Sequence, residues 1–238
     1  MILKFIKNRD FILFTIIFII LVAVGISNPN FVTLKSLSDV LTDTSILIIL
    51  ALSQMIVILI RAIDLSVASN LALSGMLISL LSQIYPDLPL IFFILLSCGI
   101  GTLLGLFNGF VIAVLKVPFI VTTLGTLSIY RGLIYFVSDG KQVYSHEFSD
   151  SFLSFIHVRF LSLTSLFWFA VCVFIIIYIL LNYTKFGRNI YALGGNPEAA
   201  KYIGINENRY IIAAYVLSGF FAGLCGYLWV ARYSVAST

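Results

Sequence analysis

Charge is scarce in this chain. Asp, Glu, Lys and Arg make up 10% of its 238 residues, whereas 61% are hydrophobic, and the mean hydropathy is +1.12. So few polar side chains exclude a water-soluble domain, whose surface needs far more of them. Cysteine and histidine are equally thin, at three and two residues, and no CxxC is present. Cys98, Cys172 and Cys225 fall inside apolar runs and read as small packing residues, which excludes a disulfide framework. His146-Glu147 lacks the second His of HExxH, so no metal site is assigned. There is no GxxxxGK[ST] phosphate loop, no paired catalytic acids and no Ser/His/Asp or Cys/His set. The chain is therefore not read as an enzyme, and any driving energy must come from another subunit. The net charge of +4 follows from a bias between loops and is no sign of nucleic acid.

What the chain has in quantity is long apolar runs. A bilayer core of about 30 Å needs roughly 20 apolar helical residues to cross it. Candidates are Phe11–Ile26, Ser45–Ile60, Leu65–Gln83, Leu88–Leu115, Pro118–Val137, Thr164–Leu181 and Tyr210–Val230. The fourth is long enough to be steeply tilted or broken. None alternates as barrel strands do, and backbone groups in lipid must be satisfied internally. The fold class is all-α, a polytopic helical membrane bundle of about seven spans, with residues 1–238 forming one transmembrane domain. The first run is read as an uncleaved anchor, because its apolar stretch exceeds a signal-peptide core and further spans follow.

Lys and Arg set the orientation. With the amino terminus inside, the inner face carries Lys4, Lys7, Arg9, Arg61, Lys116, Lys185, Arg188, Lys201 and Arg209. The outer face carries Lys35, Lys141, Arg159 and Arg232, and Arg131 lies within a span. The positive-inside rule thus puts the amino terminus in the cytoplasm and Thr238 outside. Arg131 is expected to snorkel outward or pair with a neighbouring span, since a charge at mid-span costs about 2.5–3.5 kcal/mol.

Two loops are long: 138–163 outside and 182–209 inside. The outer one, "SDGKQVYSHEFSDSFLSFIHVRF", mixes charge with aromatics and is expected to hold a short interfacial helix. In the inner one, Asn196-Pro197-Glu198 reads as a helix start, with Asn as N-cap, Pro at the first helical position and Glu complementing the dipole. Gly204 would end it. A helix of about two turns needs a surface to pack on. Ala199, Ala200 and Ile203, with Glu198 and Lys201 at the rim, suit docking into a groove on a soluble partner. Packing on its own protein suits them as well, and spacing leaves both open.

Small residues recur four apart as Gly101, Gly105 and Gly109, and again as Gly219 with Gly223 and Ala222 with Gly226. They predict close packing between spans. Ser66, Ser69, Asn70 and Ser74 share one helix face, and Asn108, Thr122, Thr123 and Thr126 are assigned to the next broken region. Such hydroxyls and amides suit a neutral solute's path or hydrogen bonds between spans. Arg61 and Asp64, three apart, are expected to pair across a helix turn at the cytoplasmic mouth.

Three stretches carry a resemblance: "IDLSVAS" at 63–69, "GTLLGLFNGFVIAVLKVPFIVTTLGTLSIYRG" at 101–132 and "TKFGRNIYALGGNPEAAKYIGI" at 184–205. Together, and in this order, they resemble the permeases of sugar-type ABC importers, the ribose/xylose/rhamnose/autoinducer-2 family. "DTSILIILALSQMIVIL" and "YLWVARYSVA" look most similar to rhamnose-type members. The chain departs from the family in having Arg61-Ala62 and Ala68 where glycines are usual, which questions a glycine-dependent kink there. Members also continue past the point where this chain stops, so further C-terminal spans are expected to be missing. The resemblance implies that Gly195, Asn196, Pro197, Glu198, Ala199, Ala200, Ile203 and Gly204 form a coupling helix on a separate ATPase subunit. It implies a second permease copy or paralogue, a periplasmic solute-binding protein, a bacterial inner-membrane location and a monosaccharide as solute. No cofactor is expected on this chain itself, ATP and Mg being used by the ATPase. Import of autoinducer-2, or a non-transporting membrane scaffold or fragment, are the alternatives.

Overall fold

The computed structural model describes residues 9–28, 33–161 and 163–237. Lys4, Lys7 and Thr238, used above to set orientation, lie outside the described residues. The chain divides into two compact units, one up to Asp43 and one from Thr44 onward. The first holds α1 (Arg9–Ser27) and the start of α2 (Leu34–Leu59). From Phe11 to Val22, α1 leaves its apolar side chains exposed, as with Phe14 and Phe18, a surface suited to lipid rather than water.

The second unit contains the rest of α2, α3 (Val67–Ile84), α4 (Leu90–Ala113), α5 (Phe119–Ser138), α6 (Asp150–His157), α7 (Ser165–Tyr183), α8 (Lys185–Gly195), α9 (Pro197–Tyr202) and α10 (Glu207–Tyr233). Six helices are long and apolar enough to cross a membrane, namely α2, α3, α4, α5, α7 and α10, and Phe11–Ser27 is a shorter apolar helix. Each apolar run of the sequence thus falls on a helix, and the chain is a multi-pass membrane protein. Two boundaries differ from expectation. The helix expected at Ser45 begins at Leu34, because the polar turns before Ser45 are helical too. The run at Leu88–Leu115 is neither broken nor interrupted, but one helix ending at Ala113.

Glycine explains the packing order. A methyl group added to Gly101 would lie 2.2 Å from the Gly219 carbonyl oxygen, and one added to Gly105 would lie 2.2 Å from the Tyr215 carbonyl oxygen. The backbones of α4 and α10 therefore touch along the predicted stripe, which only missing side chains allow. On the other side of α10, a methyl on Gly226 would lie 2.6 Å from the Leu71 carbonyl oxygen of α3. Held from both sides, α10 is the most enclosed span, and Ser97 Oγ adds a 2.5 Å hydrogen bond to the Gly223 carbonyl.

Contacts at the two ends of the helices separate the loops into two faces. At one end, Gln83 Nε2 donates to Glu147 at 3.0 Å, and β1 (Val143–Tyr144) pairs antiparallel with β4 (Val235–Ala236), Val143 opposite Ala236. The interfacial helix expected in this loop is α6, capped by the Ser149 hydroxyl. Strands β2 (Arg159–Phe160) and β3 (Leu163–Thr164) form a second short antiparallel pair beyond it. At the other end, Lys116 Nζ donates to Asn208 Oδ1 at 2.6 Å, beside α8 and α9. Cys98 and Cys225 are buried free thiols, Cys225 Sγ donating to the Ile46 carbonyl at 3.7 Å, while Cys172 is exposed.

Candidate functional site

Between α2 and α3 the helical path stops at Leu59 and resumes at Val67. No glycine is used: Arg61 itself takes a left-handed conformation with φ of 61°. The chain then turns Asp64 inward rather than toward solvent, leaving it 3% exposed. Its Oδ1 accepts from the Ser66 amide at 3.0 Å and the Ser66 hydroxyl at 2.6 Å, and Oδ2 accepts from the Ser218 hydroxyl at 3.2 Å. Three donors to one carboxyl group compensate for its lost water, as a buried anion requires.

The expected Arg61–Asp64 pair does not form. That expectation assumed a continuous helix, in which residues three apart meet, and the reversal at Arg61 sends the two side chains to opposite sides. Arg61 reaches α8 instead: Nε donates to the Gly194 carbonyl and a terminal nitrogen to the Gly195 carbonyl, each at 2.6 Å. Asp64 has no ionic partner among the described residues. The surrounding segment is tied to three further spans. Gln54 Nε2 of α2 donates to the Asp64 carbonyl at 3.3 Å, Asn108 Nδ2 of α4 to Ser66 Oγ at 2.8 Å, and the Tyr215 hydroxyl of α10 to the Ile63 carbonyl at 3.1 Å.

The residues assigned to a solute path are all buried. Ser66, Ser69, Asn70 and Ser74 do share one side of the α3 start. Ser69 Oγ donates to the Ser66 carbonyl at 2.8 Å, Asn70 Nδ2 to the Gly101 carbonyl at 3.1 Å, and Ser74 Oγ to Asn70 Oδ1 at 3.2 Å. Asn108 lies within unbroken α4, not in a broken region, and Thr122, Thr123 and Thr126 lie in the first turns of α5. Thr123 and Thr126 bond back to their own helix at Phe119 and Thr123. Ser53 Oγ, Gln54 Oε1, Asn108 Oδ1 and Thr122 Oγ1 are buried without a hydrogen-bond partner. Orphaned acceptors of this kind mark an unfinished network.

A cavity of about 330 Å³ between α3 and α5 is lined by Ser69, Ala72, Arg131, Tyr135 and, beyond α10, Ser237. Arg131 was expected to pair with a neighbouring span or snorkel; no described residue pairs with it, and its head borders this cavity. Asp64 was underestimated from sequence. The signal for its burial was Asp-x-Ser, in which an aspartate two residues before a serine bonds its amide and starts a helix.

On the loop face, the segment 182–209 folds into two helices where one was expected. The missed one, α8, is amphipathic, with Gly187, Ile190 and Leu193 buried, and its N-terminus is capped by the Thr184 hydroxyl. The expected helix, α9, starts as its residues predict. Asn196 Oδ1 accepts from the Ala199 amide at 3.0 Å, Pro197 is its first residue, and Gly204 follows with φ of 83°. Glu198, Ala199, Lys201, Tyr202 and Ile203 are exposed. Ala200 is the exception at 2% exposure: it packs inward on its own chain.

Residues 36–238 match the family described as "Branched-chain amino acid transport system / permease component". The galactose/methyl galactoside import permease of Haemophilus influenzae is 32% identical over 252 residues, covering 97% of this chain and 75% of that protein. The ribose import permease of the same organism is 35% identical, covering 97% of this chain and 71% of the relative. The autoinducer 2 import system permease of Klebsiella pneumoniae is 34% identical, covering 95% and 64%. No solved structure matches the chain. The chain therefore belongs to this family of transport permeases, as a multi-pass ABC permease subunit of the sugar type and not an enzyme.

Proposed function

We propose that this chain is the membrane permease of an ATP-driven importer of a neutral monosaccharide, and that α9 is the handle through which a separate ATPase subunit moves it. The observation that carries the reading is α9 itself: a capped helix too short to stand alone, presenting Glu198, Ala199, Lys201, Tyr202 and Ile203 outward. Relatives named for galactose, ribose and autoinducer 2 import support a small polyhydroxylated solute. The amino terminus lies in the cytoplasm. Arg61, Lys116, Lys185, Arg188, Lys201 and Arg209 gather at the α9 face and Lys141, Arg159 and Arg232 at the other, which supports that orientation. A second permease copy completes the translocation path, and a solute-binding protein feeds it from outside.

Solute enters by the Ser69–Arg131 cavity, whose volume falls within the range of about 300–1,000 Å³ common for small-molecule sites. The buried Ser66, Asn70, Ser74, Asn108, Thr122, Thr123 and Thr126 groups supply hydroxyl and amide partners as the spans rock. ATP and Mg bind the ATPase, not this chain.

Glu198→Arg with Ala199→Trp tests the reading, since both sites are exposed and neither alters the cap. The double variant is expected to insert normally but to lose the ATPase subunit on affinity purification and to lose sugar uptake. Undiminished ATPase capture and uptake would remove α9 from the coupling role.

A further inference from the structure

The α2–α3 break and the α8–α9 unit are far apart in sequence, yet they meet as a built joint. Arg61 Nε and a terminal nitrogen each lie 2.6 Å from the last two carbonyls of α8, at Gly194 and Gly195. Those carbonyls are at the negative end of a helix, where a cation is favoured, and two charge-assisted bonds from one planar group fix direction as well as distance. Asn196, the N-cap of α9, is the next residue. A second contact closes the joint from the backbone side: a methyl on Gly194 would lie 1.9 Å from the Leu59 carbonyl oxygen, so α8 rests directly on the end of α2. Arg61 needs its strained φ of 61° to stay in this place.

The other end of the same segment reaches the protein interior, where Asp64 is buried. Three residues after Arg61, Asp64 is held by Ser66 and Ser218, and Ile63 is held by Tyr215 of α10. Gln54 Oε1 and Asn108 Oδ1, next to this segment through their own amide nitrogens, lack donors. A polar segment with spare acceptors has alternative partners available when it shifts, which a close-packed glycine seam lacks.

We propose that Arg61 is the positioning residue that links α9 to the spans. It grips the α8 end and carries displacement of the α8–α9 unit into the Asp64 break, and from there to α4 and α10. The proposal rests on α9 being the ATPase handle. A coupling made through one guanidinium predicts a particular lesion: breaking it leaves the handle docked and the motor running, but disconnects the path.

The test uses the full importer, permease with its ATPase and solute-binding protein, in proteoliposomes, with radiolabelled ribose and galactose as probes. Arg61→Gln is expected to retain ATPase capture and ATP turnover within twofold of wild type, while sugar moved per ATP falls at least tenfold. Arg61→Lys, which keeps the charge but not the fork, should recover part of that ratio. Gly194→Ala, which forces α8 off Leu59 and so shifts the Gly194 carbonyl that Arg61 holds, should lower it as well. Uptake per ATP unchanged in Arg61→Gln, or loss of ATPase capture in that variant, would overturn the proposal. Should Arg61→Gln fail to insert, spin labels on cysteines introduced at positions 63 and 198 of an importer that keeps Arg61 decide. For this measurement Cys98, Cys172 and Cys225 are replaced by alanine. A distance that stays constant through the ATP cycle supports a rigid link, and one that changes by more than about a helical turn, roughly 5 Å, overturns it. Failure of the handle reading is separately visible, because only then does the Glu198→Arg, Ala199→Trp variant still capture the ATPase.

Discussion

The α4–α10 seam and the α2–α3 break are both buried, both join spans, and are built from opposite materials. Along the seam, Gly101, Gly105, Gly219 and Gly223 remove side chains until backbones touch, and Ser97 adds one bond across it to the Gly223 carbonyl. Along the break, backbone regularity is given up, and Asp64, Ser66, Gln54, Asn108, Tyr215 and Ser218 replace it with side-chain hydrogen bonds. A dry seam has one good fit and resists any change of spacing. A polar crossing can exchange partners. In an importer that must open to alternate sides, the seam is suited to stay fixed and the break to yield.

The largest effect should come from forcing the seam open. Gly219→Val places branched carbons where even one methyl would lie 2.2 Å from the Gly101 carbonyl oxygen, and overpacking of this kind costs about 3 kcal/mol or more. Loss of monodisperse protein on size-exclusion chromatography in detergent is the expected result; a stable variant would mean the backbones do not touch. Next comes the break. Asp64→Asn puts an amide NH2 in place of one carboxylate oxygen, so either the Ser218 contact or both Ser66 contacts lose their acceptor, and it should lower thermal stability by about 1–3 kcal/mol, while the oligomeric behaviour stays normal. Asp64→Leu should be worse, since it strands the same donors and adds bulk. Smallest is Tyr215→Phe, which removes one bond to the Ile63 carbonyl; bonds within membranes average about 0.6 kcal/mol, so only a slight shift in unfolding midpoint is expected. If Tyr215→Phe proved as harmful as Gly219→Val, the contrast between seam and break would be lost.

Much of this contrast was legible in residue types and spacing. Glycines four apart are informative because a helix turns every 3.6 residues, so their positions alone predict a shared face and a close neighbour. Asn196-Pro197 likewise specified the start of α9 from local chemistry, and the structure shows the Asn196 cap closed on Ala199. What escaped was whatever depended on a backbone reversal or a distant partner. Arg61 and Asp64 were paired by a helical rule, but Arg61 lies outside the helical region and its partners at Gly194 and Gly195 are more than 130 residues away. Helix α8 was hidden by its own composition, because Gly187, Gly194 and Gly195 suggest a loop until Leu59 and Leu181 are seen pressed against two of them. Ala200 and Ala199 are alike in sequence, and only packing tells which one faces out.

The decisive measurement is cross-linking in native membranes from single cysteines placed at Ala199 and Tyr202, two exposed positions of α9, with a cysteine at Lys141 on the opposite face as control. Residues 199 and 202 are predicted to capture a nucleotide-binding subunit, with a yield that changes when ATP is trapped, and residue 141 to capture none. Capture from 141 alone, or no nucleotide-binding subunit from 199 or 202 in either state, would contradict the claim that α9 is the handle of an ATP-driven importer.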